Sequence, residues 1–387
     1  MSHSQHRRLR SFDTGEVVDL AWNGPLIEHV GRALETSGKN ISWVAPGFVD
    51  LQVNGVAGVN FGDPEISRED FVRASSNLAQ HGVTHFLPTL ITDRADRMER
   101  ALGRLAELAH DLSLAGAVLG FHLEGPYLSA EDGPRGAHPL AYTKDPDWDE
   151  FCRWQEAADG MIRMMTLAPE RKGAIAFIEK ATAAGVHIAI GHTAAKREQI
   201  LSAVDAGATL STHLGNAAHD RIQRHHNYIF DQLGDDRLWA SLIVDGHHLP
   251  PHLVKIFVRA KGFDRIILVS DAVQYAGLPA GIYDGGHRQW EVRDDGFIGI
   301  VGEPRLAGSG LLLSRAIENF TSFLGEKVPA KAIACVTSHP RFWLSGETTE
   351  DWLARGQEAS LVVYDWDMSA GRITIRETIR QGKVIFG

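Results

Sequence analysis

Cysteine is almost missing from this chain. Cys152 and Cys335 are the only two in 387 residues, far apart and in no metal-type spacing. That excludes a disulfide framework and a cysteine-held metal site, and two free thiols suit a reducing, cytoplasmic setting. Long apolar runs are missing too, since none approaches the roughly 20 residues of a membrane helix. The basic start, Met1-Ser-His-Ser-Gln-His-Arg-Arg, leads into no apolar core, so a secretory signal is not expected. Positive charge is in deficit, with 39 Lys and Arg against 49 Asp and Glu and a net charge of −10. Sequence-independent binding to nucleic acid or to an acidic membrane is therefore not expected. An anionic substrate would need a local basic patch. There is no internal repeat beyond a βα alternation and no low-complexity tract.

What is present fits a soluble globular chain. Hydrophobic residues make up 44% and charged residues 23%, both ordinary. The length allows one large barrel with a small second domain. Strand-like segments alternate with helical ones through the middle of the chain. The strands run over 44–54, 83–89, 117–124, 162–167, 186–192, 208–213, 240–245 and 266–271. Helices are predicted over 68–80, 94–112, 172–184, 196–206 and 253–261. Apolar strands of this kind are buried on both faces, as parallel strands are. Eight βα units point to an α/β protein built as a (β/α)8 TIM barrel. A doubly wound open sheet is the alternative. Against it, polar residues gather at the C-terminal ends of nearly every strand, and no G-x-G-x-x-G follows the first one.

Beyond the eighth strand, a Gly- and Asp-rich stretch, 283–304, carries a hairpin formed by 289–292 and 297–301. Helices over 311–324 and 330–338 follow. Both chain ends have strand texture: 17–22 and 26–30 at the start, 359–365, 373–376 and 383–386 at the finish. They are expected to join in one small β-sandwich domain, 1–44 with 355–387, beside a hydrolase barrel of 45–354. Two separate edge hairpins are the alternative.

Four strand ends carry chemistry. Ala117-Val-Leu-Gly-Phe121 leads into His122-Leu-Glu124-Gly-Pro126, and a carboxylate at the exit of a buried strand is costly unless paired or metal-bound. His192, His213 and Asp271 stand at three later strand ends. In a barrel all four enter one bowl. Two imidazoles, a carboxylate and a water make a catalytic metal site with an open position, so Glu124, His192 and His213 are the expected ligands. Singly, each has a structural alternative: a carboxylate paired with a buried arginine, a histidine at a helix start, a hydrogen-bonded core histidine. Asp271 can take a proton from a metal-bound water and pass it on, or can simply cap a helix. His138 and His248, on loops after strands, can polarise a carbonyl or hold an anion. Asn216 and Ala217 can offer backbone N–H groups to a phosphate.

Eight segments carry a resemblance. They are Pro46–Gly55, Gly82–Thr92, Gly120–Pro126, Gly191–Thr193, Thr212–Ala217, Asp245–His248, Ser270–Ala272 and Leu306–Ser309. In that order they resemble the amidohydrolase superfamily, and within it the N-acetylglucosamine-6-phosphate deacetylase family. The resemblance implies a TIM barrel with a small β domain from both chain ends. It implies a metal on Glu124, His192 and His213, with Asp271 as acid and base. His138 would polarise the acetyl carbonyl, and Asn216, Ala217 and His248 would hold the sugar phosphate, with Ala307 as a further substrate contact. Many members open with His-x-His and bind two metals. Here Gln52 and Asn54 fill those positions, and an amide is a poor ligand, so one divalent ion is expected, zinc first and iron or another metal second. A homodimer is implied, because the family's phosphate-binding Arg reaches a neighbouring subunit's substrate.

That Arg motif is displaced. After Asn216-Ala217 the chain reads Ala218-His-Asp-Arg221-Ile-Gln-Arg224-His-His226. Arg221 or Arg224 can substitute, yet neither sits in the matching motif, and a guanidinium fork is hard to replace. The reaction that the resemblance implies is hydrolysis of N-acetylglucosamine 6-phosphate to glucosamine 6-phosphate and acetate. The alternatives are another N-acyl sugar or other N-acyl substrate, and a non-catalytic binding protein on the same scaffold.

Overall fold

The computed structural model describes residues 5–34, 41–111, 114, 116–285, 289–302, 306, 308–346 and 351–387. Eight parallel strands form the central sheet: Phe48–Val53, Val83–Ile91, Phe121–Glu124, Ile162–Leu167, His187–Ile190, Ala208–Ser211, Trp239–Leu242 and Ile266–Leu268. They pair in chain order. The sheet closes where Asp271 N–H donates to Gln52 O at 2.8 Å and Val53 bridges Ala272. The expected barrel is thus the fold, with helices between strands. No helix among the described residues is long and apolar enough to cross a membrane.

The helices follow from their apolar stripes. In Arg68–Gln80 the buried residues are Phe71, Ala74, Ser75, Leu78 and Ala79, a spacing that puts one face on the barrel. Ser67 caps this helix by accepting from the Asp70 N–H at 3.0 Å, and Glu69 and Asp70 complement the N-terminal dipole. The helix predicted over 94–112 runs from Ala95 to Ala109, and its last predicted residue lies outside the described residues. Two helices, Trp148–Ala157 and Tyr228–Leu233, were not anticipated. The helix predicted over 330–338 is two shorter ones, Ala330–Ala334 and Ser338–Ser345.

Both chain ends contribute to one seven-stranded sheet. Its order is Lys383–Phe386, Arg372–Arg380, Leu361–Asp367, Trp43–Pro46, Gln5–Ser11, Val17–Asn23 and Leu26–Arg32. The sheet turns back on itself. Ile27 N–H donates to Gln357 O at 2.8 Å, and Gly356 N–H returns a bond to Ile27 O, just ahead of the Leu361 strand. Leu9, Leu20, Trp22, Ile27, Val44, Leu361, Val363 and Ile379 fill the space it encloses.

The stretch 44–54 is not one strand. Trp43–Pro46 belongs to the end sheet and Phe48–Val53 to the barrel. They part at Gly47, where any Cβ would collide with the Thr84 side chain. Past the eighth strand, Gly281–Asp284, Gln289–Val292 and Ile298–Ile300 make a three-stranded antiparallel sheet, one strand more than the predicted hairpin.

Candidate active site

The functional side chains sit at the C-terminal mouth of the barrel. Glu124 is the last residue of the third strand. His192, His213 and Asp271 lie just beyond the fifth, sixth and eighth strands, with φ of 51°, 30° and 46°. Non-glycine residues in the left-handed region are strained, and such strain collects at functional sites. Here it turns each side chain inward as the strand ends. All four residues are buried.

Three ligand atoms converge. Glu124 Oε1 lies 2.9 Å from His213 Nε2 and 3.2 Å from His192 Nε2, and the two Nε2 atoms are 3.1 Å apart. His192 Nδ1 is 3.0 Å from Pro134 O, a pure acceptor, so Nδ1 carries the proton and the neutral ring turns its Nε2 lone pair to the cluster. Burial alone would raise the Glu124 pKa, but the two imidazoles beside it hold it well below the usual carboxylate range. Burial works against His213 protonation, and the Glu124 contact outweighs it. Two ring nitrogens and a carboxylate oxygen within 4.8 Å of one another suit a divalent metal ion, and a cation at their centre removes the conflict of facing lone pairs.

Gln52 and Asn54 hold the carboxylates in place. Gln52 Nε2 donates to Glu124 Oε1 at 2.8 Å and to Asp271 Oδ1 at 3.1 Å. Asn54 Nδ2 donates to the same Asp271 Oδ1 at 2.7 Å. Burial first, and then the charge of Glu124, push the Asp271 pKa up to about 6. A carboxyl group poised there can both accept and return a proton near neutrality.

His138 faces the cluster across the pocket. The Thr92 N–H donates to its Nδ1 at 3.4 Å and the Thr92 hydroxyl lies 2.8 Å from the same atom. Nδ1 is therefore an acceptor and Nε2 carries the proton, 3.9 Å from Glu124 Oε2. Burial pushes the ring pKa down to about 3, so it stays a neutral donor. His248 is fixed by Asp245, whose Oδ2 lies 2.6 Å from His248 Nδ1 and whose Oδ1 accepts two backbone N–H groups.

Asn54, Glu124, His138, His192, His213, His248 and Asp271 line one pocket of about 280 Å³, together with Asn216 and Ala217. Ile91, Ile243, Val273, Trp290 and Leu306 form its apolar side. The structure does not bring Arg221 or Arg224 to this pocket, because both lie on an exposed loop. That loop is tied down elsewhere, through His219 to Glu131 and Tyr228. Ala307 lies outside the described residues. Thr92 and Trp290 were missed in the sequence. Thr92 closes the Gly82–Thr92 segment, which is a signal of sorts, while Trp290 arrives on the inserted sheet and had none.

The family model for the amidohydrolase family matches residues 43–286. The chain belongs to that family. This amidohydrolase is 31% identical over 351 residues to an N-acetylglucosamine-6-phosphate deacetylase of Lysinibacillus sphaericus, covering 91% of this chain and 87% of the relative. It is also 31% identical to an N-acetylgalactosamine-6-phosphate deacetylase of Escherichia coli over 333 residues, 86% of each chain. Among solved structures it resembles an N-acetyl-D-glucosamine-6-phosphate deacetylase variant from Mycobacterium smegmatis in complex with N-acetyl-D-glucosamine-6-phosphate. The TM-score is 0.86 and the identity 29%, over 99% of this chain and all of that one. As an amidohydrolase the chain is a hydrolytic enzyme acting on a linear amide.

Proposed function

We propose that this amidohydrolase removes the N-acetyl group of N-acetylglucosamine 6-phosphate, giving glucosamine 6-phosphate and acetate. The observation that carries the reading is the convergence of Glu124, His192 and His213 with Asp271 and His138 on one pocket. The three ligands would hold one divalent ion, zinc first. A bound ion supplies Lewis acidity and brings the pKa of water down to about 7. Asp271 takes the proton of the attacking water. Asn54 and Gln52 both bond its Oδ1, so Oδ2 is the oxygen left for that task. The proton is then delivered to the leaving nitrogen. His138 donates from Nε2 to the carbonyl oxygen as charge builds there.

Asn216, Ala217 and His248 would hold the phosphate end. Within one chain Arg221 and Arg224 do not reach it, so a homodimer in which a partner subunit supplies one of them is part of the proposal. A cytoplasmic setting is in keeping with two unpaired thiols. A second reading has a specific basis: the Escherichia coli relative, named for the galactose epimer, is as similar as the first. The displaced arginines bear on the phosphate that both epimers share, and so favour instead an N-acyl substrate without one. A non-catalytic scaffold has no physical need for the complete Glu, His, His and Asp set.

The test is acetate release from N-acetylglucosamine 6-phosphate, N-acetylgalactosamine 6-phosphate and unphosphorylated N-acetylglucosamine, using metal-reconstituted protein with the metal counted. Fastest turnover of the first, at one equivalent of metal per chain, is expected. Turnover of neither phosphate with metal bound would sink the substrate assignment, and two equivalents at full activity would sink the single ion.

A further inference from the structure

A second cavity, of about 540 Å³, opens at the opposite mouth of the barrel. Its wall includes Pro46 ahead of the first strand, His85 of the second, Arg163 of the fourth and His187 of the fifth. Helix Ser338–Ser345 contributes Arg341, and the end sheet contributes Glu358. The barrel therefore separates this cavity from the Glu124 cluster.

Its charge is one-sided. Arg341 uses one terminal nitrogen, on Gly47 O and His85 Nδ1, both at 3.2 Å, while its Nε is buried with no hydrogen-bond partner. Arg163 forms no hydrogen bond or ion pair with a described residue. Arg380, only 7% exposed, forms no side-chain bond either, and its charge is felt at His85. One carboxylate stands against these three guanidinium groups. Glu358 lies 3.7 Å from His85 Nε2 and is already engaged by Ser360 at 2.5 Å. A buried guanidinium nitrogen without a partner, such as Arg341 Nε, is costly, and a guanidinium fork matches a phosphate or carboxylate in shape. A positive recess in a chain of net charge −10 concentrates small anions where the rest of the surface repels them.

We infer that this cavity is a second binding site, for a small phosphorylated metabolite held by Arg163 and Arg341. Leu119, Leu344, Leu361 and Trp352 give it an apolar wall, and its volume is about twice that of the catalytic pocket, so it accommodates a body beyond the phosphate. The inference does not depend on which substrate the other mouth hydrolyses. Occupancy here would act on the catalytic mouth through Arg341 and Gly47, just ahead of the strand that carries Gln52 and leads into Asn54.

The experiment uses metal-loaded, full-length protein. Crystals soaked in tungstate, a heavy phosphate mimic, are expected to show an anomalous peak within hydrogen-bond reach of Arg341 and Arg163. In calorimetry, inorganic phosphate is expected to bind this site at least tenfold more weakly in Arg163→Met, with kcat and KM unchanged within twofold. Arg163 is exposed, so that variant leaves the core intact, and Arg163→Lys should recover part of the affinity. Glucosamine 6-phosphate binding more tightly here than inorganic phosphate supports an organic ligand, and equal affinity overturns that part. No peak while the metal-side pocket fills, or equal phosphate affinity in Arg163→Met, overturns the site. A peak without measurable binding in solution would mean an adventitious ion only.

Discussion

Glu124 and Asp271 are two carboxylates in one buried pocket, and their surroundings drive them apart. Two imidazoles keep Glu124 ionised against the cost of burial, while Asp271, with only amide donors, is lifted to about 6. Such a split fits the proposed roles, one group for a cation and the other for protons. Asp271→Asn is therefore expected to keep its metal, by elemental analysis, and to lose about 10³-fold in kcat, by acetate release. Wild-type-like turnover would refute the assignment. Glu124, His192, His213 and Asp271 stood out in the sequence because each is a costly residue near a buried strand's exit, while His138, on a loop, took its expected role from the resemblance. Gln52 and Asn54 read only as poor metal ligands; that they bond the carboxylates needed coordinates. Arg221 and Arg224 look right by type, but within one chain they lie on an exposed loop away from the pocket.

At the level of the element, periodicity located the strands and helices, and backbone conformation limited them. The helix predicted over 68–80 is observed over Arg68–Gln80, because its cap, acidic first turn and apolar stripe all agree. The strands predicted to reach His192, His213 and Asp271 stop at Ile190, Ser211 and Leu268. Each chain then enters the left-handed region on a non-glycine residue, which side-chain pattern does not announce. The inserted sheet that brings Trp290 has little apolar alternation, so its full extent was not legible either. A cap, by contrast, makes a quantitative claim. Ser67→Ala removes the acceptor for the Asp70 N–H and should lower stability by about 1 kcal/mol. Chemical denaturation checks this, and acetate release should be unchanged because no residue of this helix lines the pocket. No loss of stability would mean that tertiary packing alone sets where this helix starts.

Across the whole molecule, the barrel interior encloses several histidines that the catalytic reading does not use. His122 lies on the third strand, bonded to Thr166 Oγ1 at 2.8 Å, and His85 lies on the second, beside Arg341. Burial pushes His122 from 6.5 down to about 4, and burial with the Arg341 and Arg380 charges pushes His85 well down. Their folded pKa lies below the unfolded one. Under pH 6.5 the unfolded chain thus binds more protons than the folded chain, and stability falls as pH falls. For His122 the loss runs from about pH 6.5 to about 4 and then levels off. Between pH 7 and pH 5 it amounts to about 2 kcal/mol. Denaturant titrations of wild type and His122→Asn at both pH values isolate this contribution from metal release, which is common to the two proteins. The variant should be less sensitive to acid by about that amount, even if it is less stable at pH 7. Parallel pH dependences would mean that His122 titrates alike in the folded and unfolded chain, with the Glu124 charge offsetting the cost of burial. The acid sensitivity of the barrel would then have to come from the metal-binding mouth itself.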